Sequence, residues 1–202
     1  MEEKDIIIKA GELFVKYGIK SMTMDDIARE MGVSKKTLYQ FVENKKDLVK
    51  KVMSLHIHNQ QDCICEMHSA EGNAIDKLME IGAFVNQHMR SLHPSVIFDL
   101  KKYHPEAWGY LNKHKEEFIY TTIKSNLEEG MSEGLYREDL KPDLVARLYM
   151  GMTNALIDSE SFPSDQFSKE ELHNEMTKYH IRAVLSKKGI EYIKTKMEKN
   201  EK

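Results

Sequence analysis

The chain has 202 residues, 41% hydrophobic and 31% charged, with a formal charge of -3, which is ordinary globular composition and excludes a wholly disordered chain. Four Pro and ten Gly are few, no stretch alternates as strands do, and Glu, Lys, Leu, Met and Ile dominate, so the expectation is an all-α fold. The chain opens acidic with an apolar run of only three residues, and nowhere do about 18 apolar residues follow one another, which leaves a soluble cytoplasmic protein with no membrane partner as the plain expectation.

The first helix is predicted from Glu3 to Tyr17, because Ile6, Ala10, Leu13, Phe14 and Tyr17 share a stripe and Gly18 can end it. Thr23 then caps a second helix, with Asp26 three residues on in a near capping-box arrangement and Asp25 favourable at the positive helix end. Ile27, Ala28 and Met31 give that helix an inward face. Gly32 stops it, Val33 plugs the turn, and Ser34 is the next cap, so "MGVS" is a connection of helix-turn-helix length.

The third helix is predicted from Lys35 to about Val42. Only Leu38 and Val42, joined by Phe41, look inward, so Lys35, Lys36, Thr37, Tyr39 and Gln40 face out. Asn44 caps a fourth helix that continues through Leu48, Val52 and Leu55 toward His68. Charge concentrates in this region: from Arg29 to Lys51 seven basic residues meet only Glu30, Glu43 and Asp47. Something anionic is a candidate partner, against the plainer alternative of a solvated face.

After "HSAEGN" a larger region begins. Ile75, Leu78, Met79, Phe84 and Val85 predict a fifth helix interrupted at Pro94, and a short segment through Phe98 and Leu100 precedes a break at His104 and Pro105. A long helix from Glu106 to Met131 is expected to be stopped by Gly130 and Gly134 in "EEGMSEGLYREDLKPD". Two further helices are expected from Pro142 to about Ser159 and from Glu170 to Leu185, with a tail that forms a last turn or two and frays.

The outward face of the third helix carries the side chains that donate to phosphate oxygens and base edges, on an element slim enough for a major groove about 12 Å wide. "SMTMDDIAREMGVSKKTLYQFVENKKDLV" resembles the helix-turn-helix signature of the TetR family of bacterial transcriptional regulators: the Thr before the second helix, the Ile-Ala pair, Gly-Val-Ser at the turn, Thr-Leu-Tyr, and Asn-Lys before the fourth helix. The similarity is close from Ile6 to about Val52, and "EEGMSEGLYREDLKP" is similar to the turn that precedes the dimerising helices in many members. One departure is Phe41-Val42, where the family often has Tyr or His followed by Phe.

The resemblance implies an N-terminal DNA-binding domain over 1–51 and a helical effector-binding and dimerisation domain over 52–202. It implies DNA contacts at Thr23, Ser34, Lys35, Lys36, Thr37, Tyr39, Gln40 and Lys45, with Tyr39 and Lys45 on phosphate and Lys36, Thr37 and Gln40 on bases. It further implies a homodimer on a palindromic double-stranded operator, because one such helix reads only a few base pairs, and a small apolar or amphipathic effector that releases a repressor. Leu144, Leu148, Met152, Leu172, Met176 and Tyr179 are the candidate dimer residues, and Phe84, His88, Phe98, Tyr103 and Trp108 the candidate effector contacts, with ordinary core packing as the alternative for each.

"HIHNQQDCIC" invites a metal or thiol sensor on the same scaffold. Positions i and i+2 on a helix lie about 200 degrees apart, however, so His56 with His58, or Cys63 with Cys65, cannot chelate one ion inside a helix, and no metal is expected. No Ser, His and Asp spacing, paired carboxylate or Gly-rich phosphate loop argues for catalysis, so neither an enzyme nor a cofactor is expected.

Overall fold

The computed structural model describes residues 2–91, 95–156, 161–163 and 166–200. They form ten helices: α1 Glu3–Tyr17, α2 Met24–Met31, α3 Lys35–Leu38, α4 Lys45–Ser69, α5 Ala74–Ser91, α6 Ser95–Tyr103, α7 Pro105–Ser132, α8 Pro142–Ala155, α9 Lys169–Val184 and α10 Lys187–Asn200. Among the described residues the only sheet-like pairing is an isolated bridge between Tyr136 and Leu185. The all-α expectation holds. The breaks expected at Pro94 and Ser159 lie outside the described residues.

The helices fall into two compact units, one of residues 1–63 and 91–115, the other of 64–90 and 116–202. The first unit therefore contains, besides the segment 1–51, the next part of α4, all of α6 and the start of α7. Ile6, Ala10 and Phe14 of α1, Ile27 and Met31 of α2, Leu38, Val42, and Leu48, Val49 and Val52 of α4 make one core with Val96, Leu100 and Ala107. Each large side chain so removed from water contributes about 1.5–3 kcal/mol. The stripe read for α1 is narrower than expected, since Tyr17 at its end is exposed.

In the second unit Ile75 and Leu78 of α5, Ile123 and Leu127 of α7, Leu135, Tyr136, Tyr149, Met176 and Val184 pack together. Gly130 does not stop α7, which continues to Ser132. It makes room: a Cβ there would lie 2.2 Å from the ring of Tyr136. That ring is buried, with its hydroxyl donating to Asn126 at 3.0 Å while Asn126 donates to the Ala74 carbonyl at 2.8 Å. The turn is made instead by Gly134, at φ 69.

The tail is also more ordered than expected. Gly189 lets α10 approach the Leu135 carbonyl closely, Ile193 packs on the core, and Tyr192 and Lys196 both donate to Asp76 of α5, at 2.6 and 2.5 Å. These contacts hold a helix of 14 residues where charge alone predicts fraying.

Candidate nucleic-acid interface

Local chemistry builds the head. Thr23 and Asp26 complete a capping box at the start of α2: the Asp26 N–H donates to the Thr23 hydroxyl at 3.1 Å, and the Thr23 N–H and hydroxyl donate back to the carboxylate at 3.1 and 2.6 Å. Those bonds hold the Asp26 carboxyl below its usual range. At the other end Gly32 adopts the left-handed conformation, φ 68, so that its own N–H and that of Val33 close the last turn on Arg29 and Ala28. Ser34 then caps α3, accepting from the Thr37 N–H at 3.0 Å.

α3 is shorter than predicted, ending at Leu38 rather than Val42. The chain continues in tighter turns, Gln40 N–H to Thr37 and Phe41 N–H to Leu38. The cause is tertiary. Leu38 and Val42 are both drawn into the core, and the Lys51 ammonium of α4 donates to the Phe41 carbonyl at 2.7 Å and pairs with Glu3 at 2.7 Å.

What this frame presents to solvent is Thr23, Ser34, Lys35, Lys36, Tyr39 and Gln40, all exposed, with Thr37 half-buried between them. The Ser34 and Thr37 hydroxyls lie 2.8 Å apart, and Lys35 pairs with Asp25 at 2.6 Å. Lys45 is placed differently from the rest. Half-buried, it turns its ammonium back to the Lys20 carbonyl at 3.4 Å, and burial draws its pKa down. Lys46 and Lys50, which sequence reasoning passed over, are exposed and line a 320 Å³ cleft of the first unit with Asn44, Asp47 and His104. The Lys45-Lys46 doublet was visible in the sequence, but not which of the two would reach solvent.

The profile of bacterial regulatory proteins of the tetR family matches residues 6–52, the segment just described. Beyond it, the HTH-type transcriptional regulator YvaF of Bacillus subtilis is 30% identical over 172 residues, covering 84% of this chain and 88% of that protein. The chain belongs to the TetR family. The HTH-type transcriptional repressor KstR2 of Mycolicibacterium smegmatis is 23% identical over 156 residues, 74% of each chain. Among solved structures, a transcriptional regulator of Cytophaga hutchinsonii shares the fold at TM-score 0.74 and 14% identity, covering 91% of this chain and 98% of that one. FadR of Bacillus subtilis, solved with stearoyl-CoA, does so at 0.64 and 18%, covering 89% and 98%. This member of the TetR family is a DNA-binding transcriptional regulator and not an enzyme.

The residues expected to meet a TetR-family effector fall in both units. Phe84 and His88 belong to the second, their rings 4.2 Å apart, with a His88 ring nitrogen 3.0 Å from the Phe84 carbonyl. Phe98, Tyr103 and Trp108 belong to the first. Phe98 points out of α6 at 56% exposure, edge-on to Tyr103, and lysine ammoniums stand over all three rings.

Of the six candidate dimer residues, Leu144 and Leu148 of α8 and Tyr179 of α9 are exposed, Tyr179 at 75%. Met152 and Leu172 are half-buried against their own core. Met176 is 7% exposed, inside that core. The inward face of α9 is His173, Met176, Thr177, His180 and Val184. A hydrophobicity pattern does not find it, because three of its members are polar. His173 meets Asn86 at 2.6 Å, His180 stands edge-on to the Tyr149 ring at 4.7 Å, and burial lowers both imidazoles to about pKa 4.

Cys63 and Cys65 both sit within the continuous α4. Among the described residues no group of three or more His, Cys, Asp or Glu could hold a metal ion. No described helix is long and apolar enough to cross a membrane.

Proposed function

We propose that the protein acts as a homodimeric, ligand-responsive repressor in the cytoplasm, setting two copies of α3 on the half-sites of a palindromic operator and leaving it when a small apolar or amphipathic effector binds the helical region beyond the head. The observation that carries the reading is the pairing of an exposed Lys36, Tyr39, Gln40 face with a second exposed surface that is apolar, Leu144, Leu148 and Tyr179. The first suits a groove. The second suits burial against a twin, since three large apolar side chains on adjoining elements are costly to leave in water.

Thr23, Ser34, Lys35 and the first turn of α4 flank that face and complete the proposed DNA contacts, with Tyr39 on phosphate and Lys36, Gln40 and the half-buried Thr37 on bases. At that turn the proposed phosphate ligands are the backbone N–H groups and the Lys46 ammonium, with the Lys45 ammonium joining only if it leaves Lys20. The sign of regulation and the effector class rest on relatives: KstR2 is named a repressor, and FadR was solved with stearoyl-CoA. An effector acts only as far as it prefers one spacing of the two heads over another.

Analytical ultracentrifugation with and without a palindromic duplex from upstream of the protein's own gene tests this. The expected result is a dimer that binds the duplex whole, and a Leu148→Glu variant that sediments as a monomer and binds the duplex poorly. A wild-type monomer that binds one half-site as well as two would refute it.

A further inference from the structure

We infer that Asp99 is a positioning residue for DNA binding: from α6, outside the helix-turn-helix, its carboxylate holds the turn on which α2 is seated. The Lys20 N–H donates to Asp99 Oδ2 at 2.8 Å across 79 positions of sequence. The carbonyl of the same residue accepts from the Lys45 ammonium of α4 at 3.4 Å. Lys20 is thus gripped on both of its backbone groups, by two helices that follow the motif. Three residues later Thr23 caps α2, whose far end leads through Gly32, Val33 and Ser34 into α3.

Asp99 is 4% exposed and, among the described residues, the sole acidic side chain buried to that degree. A buried carboxylate is costly unless its partners compensate. Here the partners are a backbone N–H and the positive field of Lys20 and Lys45, with His104 and Tyr103 also within reach of its charge. Among the described residues no hydrogen bond or ion pair joins the groove-facing side chains to these groups. Asp99 acts on them only through where α2 begins, and a loosened turn must be ordered again each time the head docks, which lowers apparent affinity by the fraction of time it is misplaced.

This inference rests on the DNA-binding reading. The test uses the full chain and its Asp99→Ala and Asp99→Asn variants, reading exchange of the Lys20 amide proton by NMR, affinity for the palindromic duplex by fluorescence anisotropy over a range of salt, and urea unfolding. Asp99→Ala is expected to expose the Lys20 amide and weaken binding about tenfold, the size of one hydrogen bond to a charged group. Asp99→Asn keeps an acceptor of roughly half the strength, so the loss should shrink to about threefold. The salt slope should not change in either, because Asp99 meets no phosphate.

Alanine binding as tightly as wild type while its Lys20 amide exchanges freely would overturn the inference and leave the DNA reading standing. So would losses that merely track the unfolded fraction in both variants. If alanine does not fold, asparagine decides: a Lys20 amide that exchanges faster than in the wild type, together with a loss of about threefold, supports the assignment, whereas a faster-exchanging amide with wild-type affinity, or an unchanged amide with affinity lost, refutes it. Wild type that ignores duplex DNA would remove the reading and the inference together.

Discussion

Lowering the pH from 7.5 to 5.5 should strip stability from the second unit through two histidines on one face of α9. His173 and His180 are 3% and 4% exposed, and burial holds each at about pKa 4 against an ordinary 6.5. The unfolded chain therefore binds more protons than the folded one below pH 6.5, and stability declines as pH falls from there toward 4. At pH 5.5 each imidazole is about nine-tenths protonated when unfolded and almost neutral when folded, a cost of about 1.4 kcal/mol apiece, so about 3 kcal/mol for the pair. The carboxyls held low, such as Asp26, Asp143 and Glu175, change only at more acid pH. Urea unfolding followed by circular dichroism at the two pH values, at fixed protein concentration, measures the difference. A His173→Gln, His180→Gln double variant should lose most of it. An unchanged midpoint in the wild type, or the same drop in the double variant, would show that these imidazoles are not the source.

Gly130→Ala places a methyl group 2.2 Å from the Tyr136 ring, and the displacement should cost about 3 kcal/mol in urea unfolding; a stable variant would mean the ring moves freely. Lys46→Ala should weaken binding to every duplex and flatten the salt slope by about one, whereas Gln40→Ala should relax preference at particular bases without that flattening. A changed preferred site in the lysine variant would reverse the two roles. Replacing Cys63 and Cys65 together by Ser should leave operator affinity indifferent to mild peroxide, as in the wild type; a wild type that peroxide releases and a double variant that it does not would restore the thiol sensor.

How much of this was readable beforehand depended on how local the cause was. The caps at Thr23, Ser34 and Asn44 and the turn at Gly32 are decided within four residues, so the head could be read from spacing alone. The end of α3 could not, because it depends on Lys51 reaching Phe41 and on Val42 being drawn into a core completed by Val96 and Leu100. Gly130 reads as a helix stop until Tyr136 is seen lying against it. In α9 the apolar residues could be read from the sequence as candidate dimer contacts, but nothing in their spacing showed that His173, Thr177 and His180 would be buried beside Met176. Lys45 and Lys46 are indistinguishable by type, and only the position of the Lys20 carbonyl separates them.

If the proposed function is right, this head binds duplex DNA as one half of a dimer. Titrating a fluorescent palindromic duplex with the protein at several salt concentrations measures it most directly. The expected result is two chains per duplex, affinity falling steeply with salt as several phosphates are neutralised, and a marked loss when one half-site is scrambled. Binding that is indifferent to salt, or equal for the intact and the scrambled palindrome, would contradict it.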